Sequence, residues 1–88
     1  MTDKELEKIL KALANKRRIA ILKFIKKSGR ASVGEIAGAI KLSFKATSKH
    51  LMILFNADIL EKEQVSLTML YFLQKNTNPI VLKILSTL

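Results

Sequence analysis

Apolar residues recur three and four positions apart through the first two thirds of this chain, then switch to a shorter period. Leu6, Ile9, Leu10 and Leu13 form the stripe of an amphipathic helix, started by the capping pair Thr2 and Glu5. That helix ends near Ala14. Asn15 is a favourable N-cap for a second helix running to about Lys27, stopped at Ser28-Gly29, where glycine permits a left-handed cap. Val33, Ile36, Ala37 and Ile40 mark a short third helix behind the capping box Ser32 and Glu35. Lys41-Leu42 supplies a tight turn, and Ser43 caps a fourth helix that ends near Asn56-Ala57-Asp58.

From Leu60 the pattern changes. The runs LEKEQV and TMLYFLQ have β-favouring residues at both ends with Val65 to Thr68 between them, which predicts a short hairpin. Asn76 to Asn78 break the pattern, Asn78 caps, and Pro79 takes the first position of a last helix reaching Leu88. The expected fold is mainly α with a small β-hairpin, in the order ααααββα. It makes one domain over residues 1–88, with a helix-turn-helix at about 32–56, a wing at about 60–74 and a closing helix at about 79–88. Helices followed by a hairpin after the second helix of the pair define a winged helix-turn-helix.

The fourth helix carries Lys45, Ser48 and Lys49 on one side and Leu51, Leu54 and Phe55 on the other. Small and basic side chains on the first two turns, backed by an apolar face, suit a DNA major groove. Charge sharpens this reading. The formal net charge is +9, and the cations from Lys16 to Lys49 face Glu35 alone, whereas acids and bases balance elsewhere. A phosphate-facing surface uses such asymmetry, because each neutralised phosphate releases condensed counterions.

Composition removes other classes. With no cysteine, disulfides, thiolate metal sites and cysteine nucleophiles are excluded. No apolar run reaches the roughly 18 residues of a membrane span, and the acidic start is not a signal peptide, so a cytoplasmic protein is expected. Lys16 to Arg30 alone could be a basic membrane-surface helix, but Ile21, Leu22 and Ile25 have neighbouring helices to pack against. Seven carboxylates, one histidine and no phosphate loop leave no catalytic constellation, so no enzyme and no cofactor is expected.

Three segments resemble the arsenical-resistance-repressor (ArsR-type) transcription regulators: ALANKRRIAIL at Ala12–Leu22, GEIAGAIKLSFKATSKHLMIL at Gly34–Leu54, and NADIL at Asn56–Leu60. The likeness runs from about Leu10 to Leu73, and its most specific part is Ser48-Lys49-His50-Leu51 ahead of Ala-Asp-Ile-Leu. The resemblance implies a homodimeric repressor joined through its first and last helices, with the fourth helix in the major groove of double-stranded DNA. The chain also departs from that family. Ser32 and Gly34 stand where metal sensors carry Cys-x-Cys, and Pro79–Leu88 has no histidine or aspartate, so metal sensing does not carry over. Lys41 replaces a frequent turn glycine, at a cost of about 1 kcal/mol if that residue is left-handed. Phe44 stands where a polar base-reading residue is common.

The candidate DNA-binding residues are Ser43, Phe44, Lys45, Ser48, Lys49, Arg17 and Lys41. Lys45 and Lys49 suit guanine edges or phosphates, and Ser48 a short contact to base or phosphate. The plain alternative for these three is a solvated helix face. Phe44 either meets a thymine methyl or packs under the turn. Ser43 serves first as an N-cap, and Arg17 and Lys41 are phosphate candidates only. Arg18 matches a family arginine that is often structural. His50 suits a packed or hydrogen-bonded role, since one histidine without cysteine cannot fill a zinc site. The wing has Glu61 and Glu63 on its first strand and no base at its tip, so it adds little to phosphate binding. A winged-helix module that docks a protein, and one that binds RNA, are the alternative functions.

Overall fold

Each of the five helices begins at a short polar side chain that accepts a backbone N–H. Thr2 accepts from Glu5, Asn15 from Arg17 and Arg18, Ser32 from Glu35, Ser43 from Ala46, and Asn78 from Ile80. These bonds satisfy donors that a helix start otherwise leaves unpaired. The computed structural model describes all 88 residues, Met1–Leu88. Its elements are α1 (Asp3–Leu13), α2 (Lys16–Ser28), β1 (Arg30–Ser32), α3 (Val33–Ile40), α4 (Phe44–Asn56), β2 (Leu60–Val65), β3 (Thr68–Leu73) and α5 (Pro79–Leu85).

Four helices, a hairpin and a final helix thus follow in the expected order, with one added strand. The short β1 pairs antiparallel with β3, setting Ala31 opposite Tyr71, and gives a three-stranded sheet in the order β1-β3-β2. In the hairpin, Leu60 faces Leu73 and Val65 faces Thr68 across a turn at Ser66-Leu67. The last helix is shorter than its apolar run, ending at Leu85.

The middle of the core is α2, whose Ile21, Leu22 and Ile25 are wholly buried. Against them lie Ile36 of α3, Leu51 and Leu54 of α4, and Ile59 at the entrance to β2. Each such side chain contributes about 1.5–3 kcal/mol relative to exposure, which fixes the angle at which α4 leaves the body. Val81 and Leu85 fasten α5 to the same core. Lys26 completes that attachment, its Nζ donating to the Leu85 carbonyl at 2.9 Å. The stripe on α1 is rotated from its sequence reading. Ile9, Ala12 and Leu13 are buried, whereas Leu10 is 47% exposed.

Candidate nucleic-acid interface

Both ends of α3, and with them the turn into α4, are fixed by local features. Ser32 and Glu35 form a reciprocal capping box at the start of α3, at 3.1 Å and 2.9 Å. Hydrogen bonds from Ser32 hold the Glu35 carboxyl below its ordinary pKa. At the other end Lys41 takes the left-handed conformation, with φ 56° and ψ 51°. This ends α3 and turns the chain toward α4, and Leu42 N–H returns to the Ala37 carbonyl at 3.0 Å. Ser43 Oγ then accepts from Ala46 N–H at 3.1 Å and launches α4.

Thr47, Leu51 and Leu54 are the buried rear of α4. Phe55 is half-buried, with the Lys62 ammonium 4.4 Å from its ring centroid. The opposite face is open, and Phe44, Lys45, Ser48, Lys49, Met52 and Ile53 line one shallow strip along it. Of the sequence candidates, Phe44, Lys45, Ser48 and Lys49 therefore share a surface. Phe44 is 63% exposed, so it does not pack under the turn. Ser43 is exposed beside them with its hydroxyl committed to the cap. Met52 and Ile53 are strip residues outside the sequence candidates; their i+4 spacing from Ser48 and Lys49 is the signal that finds them.

Arg17 and Lys41 lie elsewhere. They line a second groove between α2 and the end of α3, together with Lys16, Lys23 and Lys27. Phe24 and Ile40 form part of the apolar lining of that groove.

The fold commits three of the basic residues between Lys16 and Lys49. Arg30 pairs with Glu63 at 2.9 Å, and Lys26 caps α5. Arg18 donates to the carbonyls of Ala12 and Lys11 at 2.6 Å and 3.0 Å, and to His50 Nδ1 at 3.1 Å. Lys16, Arg17, Lys23, Lys27, Lys41, Lys45 and Lys49 are all exposed and in no ion pair. His50 is half-buried and held by Arg18. Its pKa lies below the ordinary value, first through burial and then through the charges of Arg18 and Arg17. No three His, Cys, Asp or Glu side chains gather as a metal cluster. The wing presents Leu67, 95% exposed, at its tip, and Glu63, midway along β2, is paired with Arg30.

Comparisons with known proteins agree with the winged-helix fold. The model of the bacterial regulatory protein arsR family matches residues 15–62. HlyU from Vibrio cholerae N16961 is 28% identical over 99% of this chain and 92% of its own, with a TM-score of 0.82. NolR from Sinorhizobium fredii is 28% identical over 96% of this chain and 80% of its own, with a TM-score of 0.81. A homodimeric winged helix-turn-helix DNA-binding domain from Mycobacterium bovis shares the fold. Its TM-score is 0.83 at 22% identity, over 99% of this chain and 82% of that one. No curated protein matches the sequence. No helix is long and apolar enough to cross a membrane.

Proposed function

The chain belongs to the ArsR family of bacterial regulatory proteins, DNA-binding winged helix-turn-helix transcription regulators, and we propose that it binds duplex DNA as a homodimer and represses transcription without sensing a metal. The observation that carries this reading is the open face of α4. Lys45, Ser48 and Lys49 stand on the first two turns of a helix whose rear is locked into the core. Lysines here meet phosphates or guanine edges, and Ser48 reaches a base or phosphate. Arg17 and Lys41, with their neighbours on α2, extend the positive surface along the backbone.

Dimerisation is supported by apolar surface on α1 and α5, where Leu10, Ile80 and Leu82 are 47%, 40% and 50% exposed. A two-fold pair would set its α4 helices about 34 Å apart, one DNA turn, so that each reads a half-site. Two domains clamped across one face of a promoter exclude polymerase by occupancy, which makes repression the proposed direction. Metal sensing is left out because Ser32 and Gly34 offer no thiolates where metal-sensing relatives carry them.

The test is a titration by fluorescence anisotropy on mixed-sequence duplex DNA and on single-stranded RNA at two salt concentrations. Duplex affinity should fall steeply with salt, and Lys45→Ala or Lys49→Ala should each lower the log–log slope by about one per lost phosphate contact. Wild-type slopes in both folded variants, or tighter binding to RNA, overturn the assignment.

A further inference from the structure

The strip on α4 is unusual for a surface that meets nucleic acid, because half of it is apolar. Phe44, Met52 and Ile53 are 63%, 50% and 42% exposed, and they share the strip with Lys45, Ser48 and Lys49. By helical spacing, Phe44, Ser48 and Met52 form one row, with Lys45, Lys49 and Ile53 in the row beside it. Large apolar side chains left exposed together on one helix face mark a contact surface. The two lysines, in a segment whose only acid is Glu35, make the surface that covers them an anionic one.

We propose that this face reads the C5-methyl groups of thymine in the major groove; the proposal rests on the duplex-DNA reading above and names the base it prefers. Adenine is ordinarily recognised by paired hydrogen bonds from Asn or Gln, and the strip holds neither. The remaining polar residues of α4 are otherwise placed. Thr47 is buried, His50 is held by Arg18, and Asn56 lines a different cavity beside Glu5 and Lys8 of α1. Beside the lysines and Ser48, what the strip offers to base edges is the apolar contact of Phe44, Met52 and Ile53, and the thymine methyl is the apolar group that the major groove presents. Phe44 occupies the first position of α4, where recognition helices come nearest the bases. From Phe44 to Met52 the helix rises about 12 Å, some three to four base-pair steps, so one strip spans several methyls. The lysines flank this row and engage phosphates or guanine without displacing it.

The experiment uses four short duplexes: alternating dA and dT, the same with deoxyuridine for dT, alternating dG and dC, and the same with 5-methyl-dC. Uracil pairs as thymine does but lacks the methyl, while 5-methylcytosine places a methyl at the same groove position. Wild type should bind the uracil duplex about fourfold more weakly for each contacted methyl lost, and gain comparably on cytosine methylation. The double variant Phe44→Ala/Met52→Ala changes only exposed positions. It should lose both differences and keep the salt dependence. Equal wild-type affinity for the thymine and uracil duplexes, with salt dependence retained, overturns the methyl reading and leaves duplex binding standing. A variant that keeps the wild-type ratio also overturns it, because the preference then lies in duplex stiffness. Salt-independent or absent binding to all four duplexes overturns the DNA reading and this proposal together.

Discussion

Arg18 Nη1 stands 3.1 Å from His50 Nδ1 and ties α2 to the middle of α4. A guanidinium can only donate, so Nδ1 accepts and the neutral imidazole carries its proton on Nε2. The same guanidinium holds the carbonyls of Ala12 and Lys11 at the end of α1. One side chain therefore ties α4 to α1 and α2, and its geometry requires an uncharged His50.

This requirement predicts a loss of stability on mild acidification. Burial, then Arg18 and Arg17, keep the His50 pKa below its ordinary 6.5. Above about 6.5 the histidine is neutral in both folded and unfolded chains, and the full stability is present. As pH falls through that value the unfolded chain binds a proton that the fold refuses, so stability drops until pH passes below the folded value. The Glu35 carboxyl, also lowered, acts in a separate window below its ordinary 4.5. Thermal melts from about pH 7.5 down to about 5 should show a falling midpoint in wild type and a flatter one in His50→Gln, which keeps an acceptor for Arg18. Parallel curves for the two proteins would remove His50 as the cause.

Lys41 predicts opposite signs for stability and binding. Its φ of 56° is strained for a side chain bearing a Cβ, and the turn it makes fixes where α4 begins. Lys41→Gly should stabilise the fold by about 0.5–1 kcal/mol in urea titration, since glycine adopts this conformation without the steric cost. The same change removes an unpaired cation from the groove beside Arg17, so duplex affinity should fall. A variant with unchanged stability would show that local relaxation already relieves the turn.

The features legible in the sequence are those decided within a few residues. All five caps are short-range chemistry, and so is the capping box of Ser32 and Glu35. The strand β1 was not legible, because Arg30-Ala31-Ser32 becomes a strand only by pairing with Leu70 to Phe72, some forty residues on. The burial of α1 was legible as a period but not as a phase. Ala12 is small enough to sit against the body at 1% exposure and turns Leu10 outward. The same limit held for the site. Spacing placed Lys45, Ser48 and Lys49 on one face, but whether Phe44 joined them depended on how α4 packs, and the packing leaves it in solvent.

The packing of α5 also decides how dimerisation should be tested. Its aliphatic residues divide into an inner set, Val81 and Leu85 buried at 1% and 5% with Ile84 packed partly against the core, and a second set, Ile80 and Leu82, turned out. Only the second set is free to meet a two-fold mate, together with Leu10 and the half-buried Leu6 on α1. At about 25 cal/mol per Å² a modest patch of this kind offsets much of the cost of association. Leu82→Glu places a charge on that outer set while leaving the core intact, so it should yield a folded monomer by sedimentation equilibrium and circular dichroism. Leu85→Glu buries a carboxylate beside the core instead, and should unfold the chain whether or not it dimerises. Duplex affinity should drop in the Leu82→Glu monomer because each half-site is then bound alone. A wild type that sediments as a monomer at micromolar concentration, or a Leu82→Glu variant that stays paired, would exclude this face as the interface and with it the two-half-site geometry.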